Sequence, residues 1–191
     1  MSQFTAIRAV SKTLQYVLEQ QMRLDPQFAG ETFQVVLDSP KTIREANDTA
    51  LGMGVSIWLY RVVRNEFLLN RQPPRVSVDR VPHPGIPINL HYLVTPIHKD
   101  AETQQFILGK VLQVFNDSAL LSAGLMRDAL TDSADELRLS LETLTLEELT
   151  RVWASLMEPY QLSVSYLVHV VTIDSALEPI KVVPVESRGN T

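Results

Sequence analysis

The chain has 191 residues, 45% of them hydrophobic, a net charge of −5 and no cysteine. That length and apolar share fit one ordinary domain with its own core. The acidic balance disfavours sequence-independent binding to nucleic acid or anionic lipid, and the lack of thiols excludes disulfides, thiolate metal sites and cysteine nucleophiles.

Residues 4–22 predict an amphipathic helix. Ile7, Val10, Leu14, Val17 and Leu18 recur at three- and four-residue spacings and so share a face. Pro26 stops it. Arg8 and Lys12 interrupt the apolar run a secretory signal needs, so no signal peptide is expected and synthesis is expected in the cytoplasm. No stretch approaches the roughly 20 apolar residues of a membrane helix, so no membrane insertion is expected. Residues 33–37 are β-branched and apolar, hence strand-like, and Asp38-Ser39-Pro40 reads as a turn. Residues 41–51 stay open between a short helix and a loop. Gly52-Met53-Gly54 is expected to break the chain before the next strand.

Residues 55–65 predict that strand. Val55, Ile57, Leu59 and Arg61 are expected on one face, with Ser56, Trp58 and Tyr60 on the other. Both faces carry large apolar groups, which predicts a central strand covered on both sides. Charges enter at its end, at Arg61 and Arg64. Pro73-Pro74 and the proline-rich run 81–87 cannot supply a regular hydrogen-bond ladder, so a long loop is expected there. A second long strand follows over 88–98, with Pro96 marking its end or an edge.

Residues 101–115 predict a helix lined by Phe106, Ile107, Val111, Val114 and Phe115, with Gly109 permitting a close approach. Residues 116–135 are less regular. Residues 136–142 alternate strictly, the pattern of a half-buried strand. Thr145 and Glu148 form a capping box that opens a helix to about residue 156. Residues 162–173 predict a third long strand. The chain therefore reads as a single α+β domain over 1–174, a central mixed β-sheet flanked by helices, with an extended tail over 175–191.

Little in this pattern points to catalysis. Of the four histidines, His91 and His98 lie seven apart on one predicted strand. An odd separation puts them on opposite faces, so they do not readily share a metal. No HExxH, phosphate-binding loop or dinucleotide fingerprint is present. Ser163 and Ser165 lack the glycines of a nucleophile elbow. Glu147 and Glu148 are explained by their place at a helix start. No catalytic residue, metal ligand or cofactor site is assigned.

Arg61, Arg64, Arg71, Arg75 and Arg80 form a local basic cluster in an acidic chain. One reading is a solvated strand end and loop whose charges pair with nearby acids. The other is a docking surface for an acidic protein partner, since the planar guanidinium binds carboxylates bidentately. Nucleic acid is the weaker third choice, because no motif accompanies the cluster.

Five segments taken in order resemble a known family. They are IWLYRVVRN (57–65), PINLHYLVTP (87–96), FILGKV (106–111), LTLEELTRVWASL (144–156) and SVSYLV (163–168). Their order and spacing, over about residues 4–175, resemble the tail-terminator or cap proteins of contractile injection systems, of the virulence-cassette and antifeeding-particle type, in a domain labelled as one of unknown function. The chain departs from that pattern in its 82–87 loop, and its tail past Asp174 is short beside larger relatives with a further C-terminal domain.

The resemblance implies a tail-terminator-like fold and structural work. Such caps form a homo-hexameric ring that ends the inner tube and anchors the last sheath layer of an assembled injection particle. Inner-tube and sheath proteins are then the partners. A different adaptor or baseplate component of the same particle is the alternative, and an enzyme using His91 or His98 is a third. A closing ring needs a heterologous interface, and an open strand edge or the tail from Asp174 to Val185 offers one route to docking.

Overall fold

A computed structural model describes residues 4–28, 33–46, 52–68, 79–121, 124–131 and 136–181. Helix α1 (Ala6–Leu24) buries the expected stripe of Val10, Leu14, Val17 and Leu18. Strand β1 (Phe33–Val36) follows. The 38–40 segment opens helix α2 (Pro40–Glu45) instead of making a simple turn, because Ser39 caps it by accepting from the Thr42 amide and Pro40 takes the first helical position. Strand β2 (Met53–Arg64) begins inside the glycine pair expected to break the chain. Gly54 is buried and paired on both sides, with Gln34 and Ile97.

Strands β3 (Arg80–Val81) and β4 (Ile86–Ile97) lead to helix α3 (Ala101–Asp117). Strands β5 (Leu120–Leu121) and β6 (Leu137–Glu142), helix α4 (Leu146–Ser155), and strands β7 (Val164–Ile173) and β8 (Ile180–Lys181) complete the chain. The main sheet has the order β1-β2-β4-β7-β6-β5. Only β1 and β2 are parallel, so the sheet is mixed, as expected.

One face of the sheet packs on α1 and α3 in the larger core, with Val55, Ile57, Tyr92, Val94, Tyr166 and Val168 facing the helices. The other face is covered by α4, whose buried Trp153, with Leu156 just past the helix end, meets Leu93, Trp58 and Tyr60. The Trp153 indole donates to Ser163 Oγ at 3.0 Å. The expected capping box at Thr145 and Glu148 is formed. Cover on both faces holds for β2 as far as Tyr60; beyond it Arg61, Val62 and Arg64 are exposed.

Several expectations change. A bulge lies between Leu59 and Arg61: Leu59 pairs with Tyr92, and Arg61 with the next residue, His91. The extra residue turns Arg61 to the α4 side, away from the Val55 face assigned to it by simple alternation. Pro96 lies inside β4, whose pairing with β7 runs only to Val94, so the proline sits past the doubly paired region.

The 81–87 run is only partly a loop. Val81 pairs with Ile180 and Arg80 with Lys181, while Ile86 and Pro87 already pair with Ile173 and Thr172. The tail thus folds back onto its own chain in a small ribbon. A Cβ added at Gly109 meets nothing within 4 Å, so no close approach requires that glycine. Leu137 and Leu139 are buried, but Leu141, third in the alternating run, is exposed.

Candidate assembly interface

The candidate arginines do not form one cluster. Arg71 and Arg75 lie outside the described residues. Arg61, Arg64 and Arg80 are exposed, and among the described residues none of them makes an ion pair. Arg61 belongs to the α4 side, where its charge helps hold Glu148 below the usual carboxylate range. The main cause there is the pair of hydrogen bonds between Glu148 and the Thr145 amide and hydroxyl. Arg64 pairs with Ile88 at the other end of the strand ladder, the end from which the β3–β8 ribbon leaves the sheet.

That end of the sheet has a distinct chemistry. Asn65 donates its backbone amide to Pro87 O at 2.8 Å, and its side chain donates to Asn89 Oδ1 at 3.3 Å. Its own Oδ1 accepts from the Phe67 amide at 3.1 Å. This fixed turn presents Phe67 at 97% exposure. Ile86, Leu177 and Ile180 are also exposed there. In the ribbon Arg80 stands opposite Lys181, a like-charge pairing that does not stabilise a two-stranded unit. An apolar centre bearing an aromatic group, with exposed charges of both signs around it (Arg64, Arg80 and Lys181 beside Glu66, Asp174 and Glu178), has the anatomy of a protein interface, not of a reaction centre.

A second constellation lies beneath α4. Tyr60, His91, Glu142 and Ser165 come from four different strands. His91 Nδ1 donates to the Glu142 carboxylate at 3.1 Å, and Ser165 Oγ donates to Glu142 Oε2 at 2.7 Å. Tyr60 OH donates to Ser165 Oγ at 3.0 Å. Burial pushes the Glu142 carboxyl up, but the hydrogen bonds from His91 and Ser165 outweigh it and hold it below its ordinary value. Ser165 gives its proton to the carboxylate and none to the histidine, so the set does not make an activated nucleophile. It ties four strands together. Elsewhere, α1 and Arg127–Asp128 border a groove of about 440 Å³. Arg127 stacks on Tyr16 at 3.5 Å, and Arg8 is held by Asp128 at 2.7 Å.

The model of the Pvc16 N-terminal domain matches residues 9–187. The chain belongs to the Pvc16 N-terminal domain family. No curated protein matches it. Among solved structures it is similar to the sheath/tube terminator of an extracellular contractile injection system, in the extended state, with a TM-score of 0.67 and 19% identity. It is also similar to the tube-terminating cap of the anti-feeding prophage, with a TM-score of 0.61 and 19% identity. Both alignments cover 100% of this chain, which spans 64% and 62% of those longer chains.

Two features of this Pvc16 N-terminal domain escape sequence reading. The Tyr60–His91–Glu142–Ser165 network joins residues 23 to 105 positions apart, with no local motif to announce it. Phe67 left one signal: an Asn two residues before an aromatic at a strand end, the pattern of an Asn-held turn. Among the described residues no three His, Asp or Glu side chains gather as a metal site. No helix there is long and apolar enough to cross a membrane.

Proposed function

We propose that this chain is a structural cap of a phage-tail-like contractile injection particle. Six copies form a ring that ends the inner tube and anchors the last sheath layer. The observation that carries this reading is the fold likeness over the whole chain to two tube-terminating proteins, joined to membership of the Pvc16 N-terminal domain family. The chain works without catalysis. In support, His91 and Ser165 both direct their protons to Glu142, an arrangement that holds strands together.

The arginine-bearing excursion, with Arg64, Arg71, Arg75 and Arg80, meets acidic surface on a neighbouring subunit or on sheath, while Arg61 lies apart on the α4 side. The exposure of Arg64 and Arg80 and their lack of ion pairs among the described residues support this part. Charge reversal of Arg71 and Arg75 should then weaken assembly and leave the monomer folded; unimpaired assembly would make the excursion a solvated connector.

Imaging particles from a strain lacking the chain tests the cap reading itself. Loss of a cap leaves tubes or sheaths of uncontrolled length or unstable ends. Loss of a baseplate component abolishes assembly, and that result would replace the cap reading with the adaptor alternative.

A further inference from the structure

We propose that the Met157 thioether is a site of reversible oxidation by peroxides, set apart from the other described methionines by the fold. The chain has five methionines and no cysteine, so thioethers are its only sulfur. Met1 lies outside the described residues. Met22 and Met126 are both 0% exposed in the core, and Met53 is half-buried where β2 begins. Met157 is 81% exposed.

The backbone holds that side chain in water. Met157 follows Leu156 just past the end of α4, with φ at 56°. This left-handed residue closes the helix: the Met157 amide donates to Ala154 O at 3.0 Å, and the Glu158 amide to Trp153 O at 3.4 Å. Glycine is usual at such a position, because a side chain there strains the backbone. The residues on either side are pinned. Leu156 is buried with Trp153 against the sheet, and Glu158 is ion-paired with Arg44 of α2. Turning Met157 inward would break this closure, so its sulfur meets solvent in the folded chain.

The chemistry needs no catalytic neighbour. A sulfur lone pair attacks one oxygen of hydrogen peroxide, an S–O bond forms and the O–O bond breaks. The departing hydroxide takes up the proton left on the transferred oxygen and leaves as water. Sulfur loses two electrons and the peroxide gains them. The product is methionine sulfoxide, which sulfoxide reductases return to the thioether. None of the bonds that close α4 uses the sulfur, so the oxidised chain keeps that helix end and its Trp153 contact. Met22 and Met126 meet peroxide only when the fold opens, and a domain of ordinary stability is open less than about one part in a thousand of the time.

Hydrogen peroxide added to the full chain, followed by mass spectrometry of tryptic peptides, tests the site. Lysine and arginine positions place the five methionines in five different peptides, so each is read separately. Met157 should be oxidised at the rate of a free methionine peptide, at least about 100-fold faster than Met22 and Met126. Its rate should stay level through urea concentrations below unfolding, while the rates at Met22 and Met126 climb. Met53 should fall between. Met157→Leu keeps the apolar bulk without the sulfur, and should abolish the fast phase at this peptide and leave the other rates unchanged. The chain oxidised at Met157 should melt within about 2 °C of the untreated protein and return to its original mass with methionine sulfoxide reductase. Oxidation of Met22 or Met126 as fast as Met157 would overturn the proposal. So would a Met157 rate that rises with urea, the behaviour of a sulfur shielded in the folded chain.

Discussion

Replacing Glu142 by Gln should expose how much the polar network beneath α4 contributes. The carboxylate accepts from His91 at 3.1 Å and from Ser165 at 2.7 Å, with Tyr60 behind Ser165. Gln keeps the shape but loses the charge, and its amide nitrogen presents protons to donors. Hydrogen bonds to a charged group contribute about 1.5–3 kcal/mol each. The side chain is 21% exposed, so water replaces part of the loss. A net cost of about 2 kcal/mol follows, or roughly 4–8 °C in melting temperature for a chain of this size.

The pH dependence has a definite sign. The folded pKa of Glu142 lies below the ordinary 4.5, so its stabilisation is complete above that value and is lost as pH falls through the folded pKa. Urea unfolding of both proteins should show the full gap at neutral pH and its closure in acid. A gap under about 0.5 kcal/mol at neutral pH, the noise level of ordinary surface changes, would refute the reasoning. So would a gap that persists unchanged into strong acid.

Other perturbations test other parts of the fold. Trp153→Ala removes the indole that fixes α4 to the sheet and should cost about 3–5 kcal/mol by urea unfolding. Thr145→Ala removes the hydroxyl that caps α4 and should cost about 1 kcal/mol by the same measurement. Gly85→Ala forces a methyl against Thr172 and Ile173 O and should cost about 1–3 kcal/mol, with faster proteolysis in the 174–181 segment. Gly109→Ala meets open space in mid-helix and should raise stability by about 0.5–1 kcal/mol.

The long periodic segments were legible because period alone determines them. Val10, Leu14 and Val17 had to share a helical face, and the apolar runs around Trp58 and Leu93 had to be covered on both sides. Ser39-Pro40 carried a helix start as well as a turn, and six helical residues after it were too few for periodicity to decide between them. The Tyr60 bulge was hidden because alternation assumes an unbroken ladder, so Arg61 was assigned to the wrong face. The β3–β8 ribbon rests on two residue pairs next to prolines, a contact that tertiary proximity creates and composition does not mark. For the candidate interface, charge marked Arg61, Arg64 and Arg80. The exposed Phe67 and Lys181 needed the fold, because exposure of a single apolar residue has no sequence period.

The position and copy number of this chain in an imaged particle test the cap account most directly. A label on the chain should mark a ring of six copies at the end of the inner tube, against the last sheath layer. Label at the baseplate, along the sheath, or in another stoichiometry at the tube end would contradict it.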